Sequence, residues 1–234
     1  MEKKRGKKYN EAKKLIEKDL YTLDEAVSIL KKTSTTKFDA SCEAHFSLGV
    51  DPAQADQNVR TSTELPHGTG KDVRVVAFVG DDKVKEATAA GASEAGTEGL
   101  IAKIEKGWLD FDIAVATPDQ MKSLGKIAKI LGQKRLMPNP KSGTVTPDVG
   151  KAIEALKKGK VELRIDKEGN LHNIFGKVSF DEAKLKENLA ALLKTVIDAK
   201  PSSTKGNYIK SITIATTMGP GVHIDVNSAM SEVK

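Results

Sequence analysis

The sequence predicts an α/β protein of two domains: a discontinuous α+β domain drawn from both chain ends, and an inserted three-layer α/β/α domain of Rossmann-like build. Three observations carry this. The outer parts of the chain alternate apolar and polar residues, as sheets with one open face do. The middle strings together short runs that are apolar throughout, separated by helical patterns, which fits a parallel sheet covered on both faces. Pro and Gly punctuate both changes of style, at "ELPHGTGKDV" and "KKGK". At 234 residues with 38% hydrophobic content, the chain can bury two cores.

The outer domain is expected over 1–66 plus 159–234 and the insert over 67–158. The opening third reads helix, helix, strand, strand. In "YTLDEAVSILKK", Thr22 and Glu25 form a capping box ahead of an apolar stripe of Ala26, Val27 and Leu30. "CEAHFSLGV" switches period: Cys42, Ala44, Phe46, Leu48 and Val50 share one face, and Glu43, His45 and Ser47 the other. The insert runs strand "VRVVAFVG", helix "DKVKEATAAGA", helix "GLIAKIEKGW", strand "FDIAVATP" and helix "DQMKSLGKIAKILG". Alternation returns in "VELRID" and, across the turn "KEGN", in "LHNIFGKVSF", which predicts a hairpin. A long amphipathic helix (Leu185, Leu189, Leu192, Leu193, Val196) stops at Pro201, and "YIKSITIAT" reads as the last strand. Two adjacent connections, at Pro66 and His67 and at Gly159, are expected to act as a hinge.

Composition narrows the function. No apolar run approaches the roughly 18 residues of a membrane span, and "MEKKRGKKYN" lacks a signal peptide's apolar stretch, so a cytoplasmic protein without a membrane partner is expected. Cys42 has no partner within the chain, which leaves neither an intrachain disulfide nor a thiolate metal cluster, and a buried, inert thiol is expected. A net charge of +6 suggests a polyanionic partner, although 38 basic residues face 32 acidic ones and each predicted domain carries about +3. Only "KKRGKK" is concentrated; it reads as a solvated tail or as an arm along phosphates.

Catalysis finds no constellation. "GTGK" resembles the end of a phosphate loop, but Leu65 replaces the first glycine, Asp72 the hydroxyl, and the stretch precedes a strand. Asp81 and Asp82 at the strand end "VGDD" would repel phosphate. The four histidines, His45, His67, His172 and His223, are scattered in sequence without metal-protease spacing. No enzyme activity, cofactor or metal site is expected. Binding has better support: in "YIKSITIATTM", Ser211, Thr213, Ala215 and Thr217 oppose Ile212 and Ile214, giving a face of short side chains that admits a close backbone. Gly219 removes a side chain from the edge, Pro220 fixes the bend, and Met218 stands near the rim. The face would also carry Glu43 and His45, with Lys37 and Phe38 before it. Aromatic content of 4% argues against a single-strand stacking platform, and structured RNA suits hydroxyl and glycine contacts better.

"KFDAS" to "LGVDPAQADQNVR", "LPHGTGK", "GWLDFDIAVATPD", "LMPNPKSGTV", "LHNIFGKVSF" and "TTMGP" resemble, in order and spacing, the family of large-subunit ribosomal protein one, found on the mobile stalk beside the tRNA exit site. The resemblance runs from about Tyr9 to Val226. It implies a structural constituent of the ribosome that binds stalk rRNA, moves as deacylated exit-site tRNA leaves, and represses translation of its own operon mRNA. By motif, the implied RNA contacts are Lys37, Phe38, Ser41 and Glu43; His172, Gly176 and Lys177; and Ser211, Thr217, Met218 and Gly219. The Thr217→Val change is then expected to weaken RNA binding with little loss of stability. Two departures stand out. "GQKR" at Gly132 to Arg135 loses the proline and second glycine of the family's Gly-Pro-Arg-Gly, and Ile165 replaces an Asn.

Overall fold

The computed structural model describes residues 6–54 and 56–233, so Lys3, Lys4 and Arg5 of the opening basic run lie outside the described residues. Along the chain run α1 (Lys7–Lys14), α2 (Leu23–Lys32), β1 (Ser41–Leu48), β2 (Arg60–Glu64), β3 (Val75–Phe78), α3 (Val84–Ala89), β4 (Glu94–Ala95) and α4 (Glu98–Glu105). Then follow β5 (Ile113–Ala116), α5 (Ala128–Gln133), α6 (Val149–Lys158), β6 (Lys160–Arg164), β7 (Asn170–Lys177), α7 (Glu182–Asp198), β8 (Ile209–Thr216), β9 (Val222–Ile224) and α8 (Val226–Val233). The protein is mixed α/β. Its contacts divide it into two compact units, Met1–Gly70 with Val161–Lys234, and Lys71–Lys160.

The first unit is built on an antiparallel sheet of order β7-β1-β8-β9. Alternation puts Cys42, Ala44, Phe46, Ile212 and Ile214 on one face, where they pack on the stripes of α2 (Leu23, Ala26, Val27, Leu30) and α7 (Leu185, Leu189, Leu192, Leu193, Val196). At about 2 kcal/mol per fully buried aliphatic side chain, the five α7 residues alone contribute on the order of 10 kcal/mol. Thr22 caps α2 with the expected capping box. Among the described residues no element of this unit covers the other face of the sheet, and that open face carries the candidate site.

The hairpin reading changes. β6 pairs with β2, whereas β7 pairs with β1, and across the "KEGN" turn the two strands meet at the bridge Ile165 to Leu171. The Asp166 carboxylate, accepting the N–H groups of Glu168 and Asn170, closes that turn at once. β7 then finds in β1 an eight-residue partner with matching inward positions, which the five-residue β6 cannot offer. Ile165, buried in the core at 6% exposure, is therefore an anchor at the point where the strands part. "YIKSITIAT" is not the last strand either, since β9 follows the Gly-Pro-Gly bend and pairs back on β8.

The second unit is a parallel sheet of order β4-β3-β5. Along β3, Val76 and Phe78 face Leu100, Ile101 and Ile104 of α4, while Val75 and Ala77 face Ile153 and Leu156 of α6. That two-sided burial is why these strands read as continuous apolar runs. The expected helix "DQMKSLGKIAKILG" is two 3-10 segments, Pro118–Met121 and Ser123–Ile127, followed by α5. Leu124 and Ile127 lie three apart and are both buried, a spacing that a three-residue turn satisfies. Arg135, at the position of the family's second glycine, has φ 60, so the departure puts an L side chain where glycine is the unstrained choice.

Candidate functional site

Strand register orders the open face into rows. One row reads His172, His45, Thr213, His223 across all four strands; the next reads Ile174, Glu43, Ala215; towards the other end Ser47 faces Ser211. Histidines scattered in sequence are thereby gathered. His45 Nδ1 lies 2.9 Å from His172 Nδ1, and Thr213 Oγ1 lies 2.9 Å from His223 Nδ1. Burial, followed by the neighbouring His172, pushes the His45 pKa below the ordinary histidine value. From Ser41 to Ser47 the face extends about 20 Å along β1, at about 3.3 Å per residue.

The Thr-Met-Gly-Pro corner ends β8. Gly219 N–H donates to Thr216 C=O at 2.8 Å, closing a four-residue turn whose third residue, Met218, has φ 70. A turn with a left-handed third residue ordinarily places Gly there. Here the glycine stands one residue later because a Cβ on Gly219 would collide with Thr216 Oγ1, inside the turn. Met218 bears the strained conformation and is 75% exposed, so it belongs to the rim and not to the core. Pro220 is buried behind it.

Thr217 is less free than its sequence suggests. Ser41 N–H donates to Thr217 Oγ1 at 3.2 Å, and the Thr217 backbone N–H donates to Ser41 C=O at 3.0 Å. The hydroxyl thus fastens the corner to β1, and the expectation of little stability loss in Thr217→Val gives way. Beside it, Lys177 Nζ reaches Ser41 Oγ at 3.1 Å and Asp39 C=O at 3.4 Å. The Asp39 carboxylate accepts the backbone N–H and hydroxyl of Ser179, which holds the segment carrying Lys37 and Phe38. Phe38 is 59% exposed, an apolar ring in solvent next to two lysines.

The fold brings Lys37, Phe38, Ser41, Lys177, Thr217, Met218 and Gly219 to one end of the open face, with Glu43 one row in. His172 lies mid-face and Ser211 towards the opposite end. Gly176 does not lie on this face. It is buried opposite Cys42, and a Cβ there would come within 2.5 Å of Leu185 Cδ2, so its missing side chain serves packing. A register shift at Cys42/Glu43 accounts for this; before it, plain alternation from His172 turns out Ile174, 38% exposed, which the sequence reading missed. His223 was missed as a face residue because β9 is three residues long; the alternation in "GVHI" is its only signal. Cys42 is buried, and burial first, then Asp39, pushes its thiol up to about 12.

His67 N–H donates to Asn188 Oδ1 at 3.0 Å, and Asn188 Nδ2 donates to the carbonyls of Gly68 at 2.9 Å and Phe175 at 2.8 Å. Asn188, fully buried within the apolar stripe of α7, is a structural residue the periodicity hides. Pro66 precedes this clasp, and Gly159, with φ 112, ends α6. In the second unit, Gly80, Asp81, Glu94, Gly96 and Glu98 line a cleft beyond the ends of β3 and β4. Glu94 is paired with Lys103 at 2.7 Å, leaving Asp81 and Glu98 to set an acidic character unsuited to phosphate.

No helix among the described residues is long and apolar enough to cross a membrane. The family model described as "Ribosomal protein L1p/L10e family" matches residues 30–220, which takes in every position from Lys37 to Gly219 named above.

Proposed function

The chain belongs to the ribosomal protein L1p/L10e family, and from that premise we propose that its open sheet face and Thr-Met-Gly-Pro corner hold the large-subunit rRNA of the mobile stalk. As a member of that family it is a structural, rRNA-associated ribosomal protein and not an enzyme. The observation that carries the site assignment is the corner. Met218 is held outward in a left-handed conformation by a buried turn, beside Lys177, Lys37 and the exposed Phe38. Short side chains at Ser211, Thr213 and Ala215 leave room for a sugar–phosphate backbone to lie flat, and the lysines supply phosphate contacts at one end. Preorganisation favours affinity because little further ordering is needed on binding.

Release of deacylated tRNA from the exit site and repression of the chain's own operon mRNA extend this reading. Both would use the same face or its mobility, with Pro66, His67 and Gly159 as pivot positions. The test is a titration of the full chain with a stalk rRNA fragment and with an unrelated hairpin, each at two salt concentrations. Selective binding that persists at the higher salt supports the assignment. Equal binding to both RNAs that vanishes with salt refutes it, since only diffuse charge would then be acting.

A further inference from the structure

We propose that the row His172, His45, Thr213 and His223 is a phosphodiester-binding strip that takes up protons as it engages RNA backbone, extending the interface across all four strands to β9. The inference rests on the assignment of this face to RNA, and adds residues, a ligand group and a linkage to it.

The geometry sets the chemistry. With 2.9 Å between the Nδ1 atoms of His45 and His172, there is room for one proton between the rings. In the neutral pair one ring donates Nδ1–H and so carries a bare Nε2, an acceptor that repels a phosphate oxygen. The other ring carries Nε2–H. One added proton converts the bare Nε2 into a donor, so the pair changes from one outward donor to two while keeping its internal bond. At the far side of the row, Thr213 Oγ1 engages His223 Nδ1 and fixes that ring in the same way. Three imidazoles thus lie in one line on a face that also carries hydroxyl and methyl groups, with Glu43 and Ile174 in the next row.

Two carboxylates stand beside the strip. Glu43 Oε2 lies 3.9 Å from His45 Nε2, and Asp166 Oδ2 lies 3.5 Å from His172 Nε2. From β7 comes Lys177 and from β8 Lys210, both towards the ends of their strands, while Thr213 between the histidines is uncharged. Partial burial of His45 disfavours its charge in the free protein, and an approaching phosphodiester reverses that balance.

The experiment is a titration of the full chain with the stalk rRNA fragment from about pH 7.5 to about pH 6 at fixed ionic strength, where one linked proton raises affinity by at most about tenfold per pH unit. A rise of about three- to tenfold is expected, with a clearly shallower slope in the combined H45Q, H172Q and H223Q variant. The slope is the readout, whatever the affinity of the variant at high pH. An identical slope in both proteins overturns the proposal, because the protons would then be going elsewhere, to RNA bases for instance. Loss of selectivity over an unrelated hairpin at pH 7.5 would instead refute the RNA assignment itself. Should the variant fail to fold by circular dichroism, ring-proton NMR titration of the unsubstituted chain decides: histidine pKa values that rise on adding RNA support the strip, and unmoved values overturn it.

Discussion

Replacing Gly219 by Ala tests the claim that the corner is set by one buried contact. Gly219 lies outside the left-handed region, so alanine suits its backbone, and on backbone grounds alone the change should stabilise by about 0.4 to 1 kcal/mol through the unfolded chain. The added Cβ, however, meets Thr216 Oγ1, which is buried at 3% residue exposure and has no hydrogen-bond partner among the described residues. Overpacking of this kind costs about 1 to 3 kcal/mol, so a net loss of about 1 to 2 kcal/mol is expected. In a Thr216→Ala background the obstacle is gone and only the Thr216 carbonyl, 3.3 Å away, remains close. There Gly219→Ala should be neutral or slightly stabilising, giving a coupling energy of about 2 kcal/mol in a double-mutant cycle. Urea denaturation followed by far-ultraviolet circular dichroism is the assay, since the single tryptophan, Trp108, packs in the other unit and does not report on this sheet. Equal cost of Gly219→Ala in both backgrounds would refute the contact as the reason for this glycine.

Met218→Gly should separate stability from binding: relief of the left-handed strain adds about 0.5 to 1 kcal/mol, whereas loss of the exposed thioether weakens RNA binding, and a fall in both on denaturation and gel-shift titration would contradict the strained-rim reading. Thr217→Val should weaken RNA binding and also cost about 1 kcal/mol of stability, because Ser41 N–H loses its acceptor; an unchanged urea midpoint would show that bond to be immaterial. Asn188→Ala should cost about 3 kcal/mol or more, since it strands the His67 N–H and two carbonyls, and amide exchange at His67 should accelerate with it; exchange that stays slow would mean the clasp lies elsewhere. Arg135→Gly should stabilise the second unit by about 0.5 to 1 kcal/mol, read by Trp108 fluorescence on denaturation, and a loss would show that the arginine side chain compensates its backbone.

What the sequence made legible follows from period and punctuation. The strict alternation from Ser41 to Leu48 and from Ser211 to Thr216 revealed which residues face out, because each strand is covered on one side only. The continuous apolar runs of β3 and β5 revealed the parallel sheet for the opposite reason. Legibility failed where local pattern is not what decides. The shift at Cys42/Glu43 inverts the facing of Gly176 relative to a count of two from His172 and Ile174, and no residue type announces it. Asn188 is polar inside a leucine stripe, and its purpose lies in backbone groups of two other segments. Pairing of β7 with β1 instead of β6 is a competition between partners, which neither strand encodes alone. The histidine row needed three cross-strand registers before four distant residues became neighbours.

That dependence on register bears on how the site comes to exist. The bond from Ser41 to Thr217 joins residues 176 apart in sequence, so the corner cannot be fastened until β8 has inserted between β1 and β9. Pairings of such separation fold slowly, because closure entropy must be met before the contacts form. The thermodynamic penalty is nonetheless small, since doubling a loop costs only about 0.6 kcal/mol. The pairing of β2, which leads out to the second unit, with β6, which leads back, already brings the chain together near the point of departure. What remains for β8 to close is then far shorter in effect than the sequence separation. An inserted unit is tolerable on these terms without disturbing the open face. It also means that a chain lacking β8 has lost an inner strand, the hydroxyls of Ser211 and Thr213 and the corner together, so on the proposed reading RNA recognition would depend on completion of the sheet.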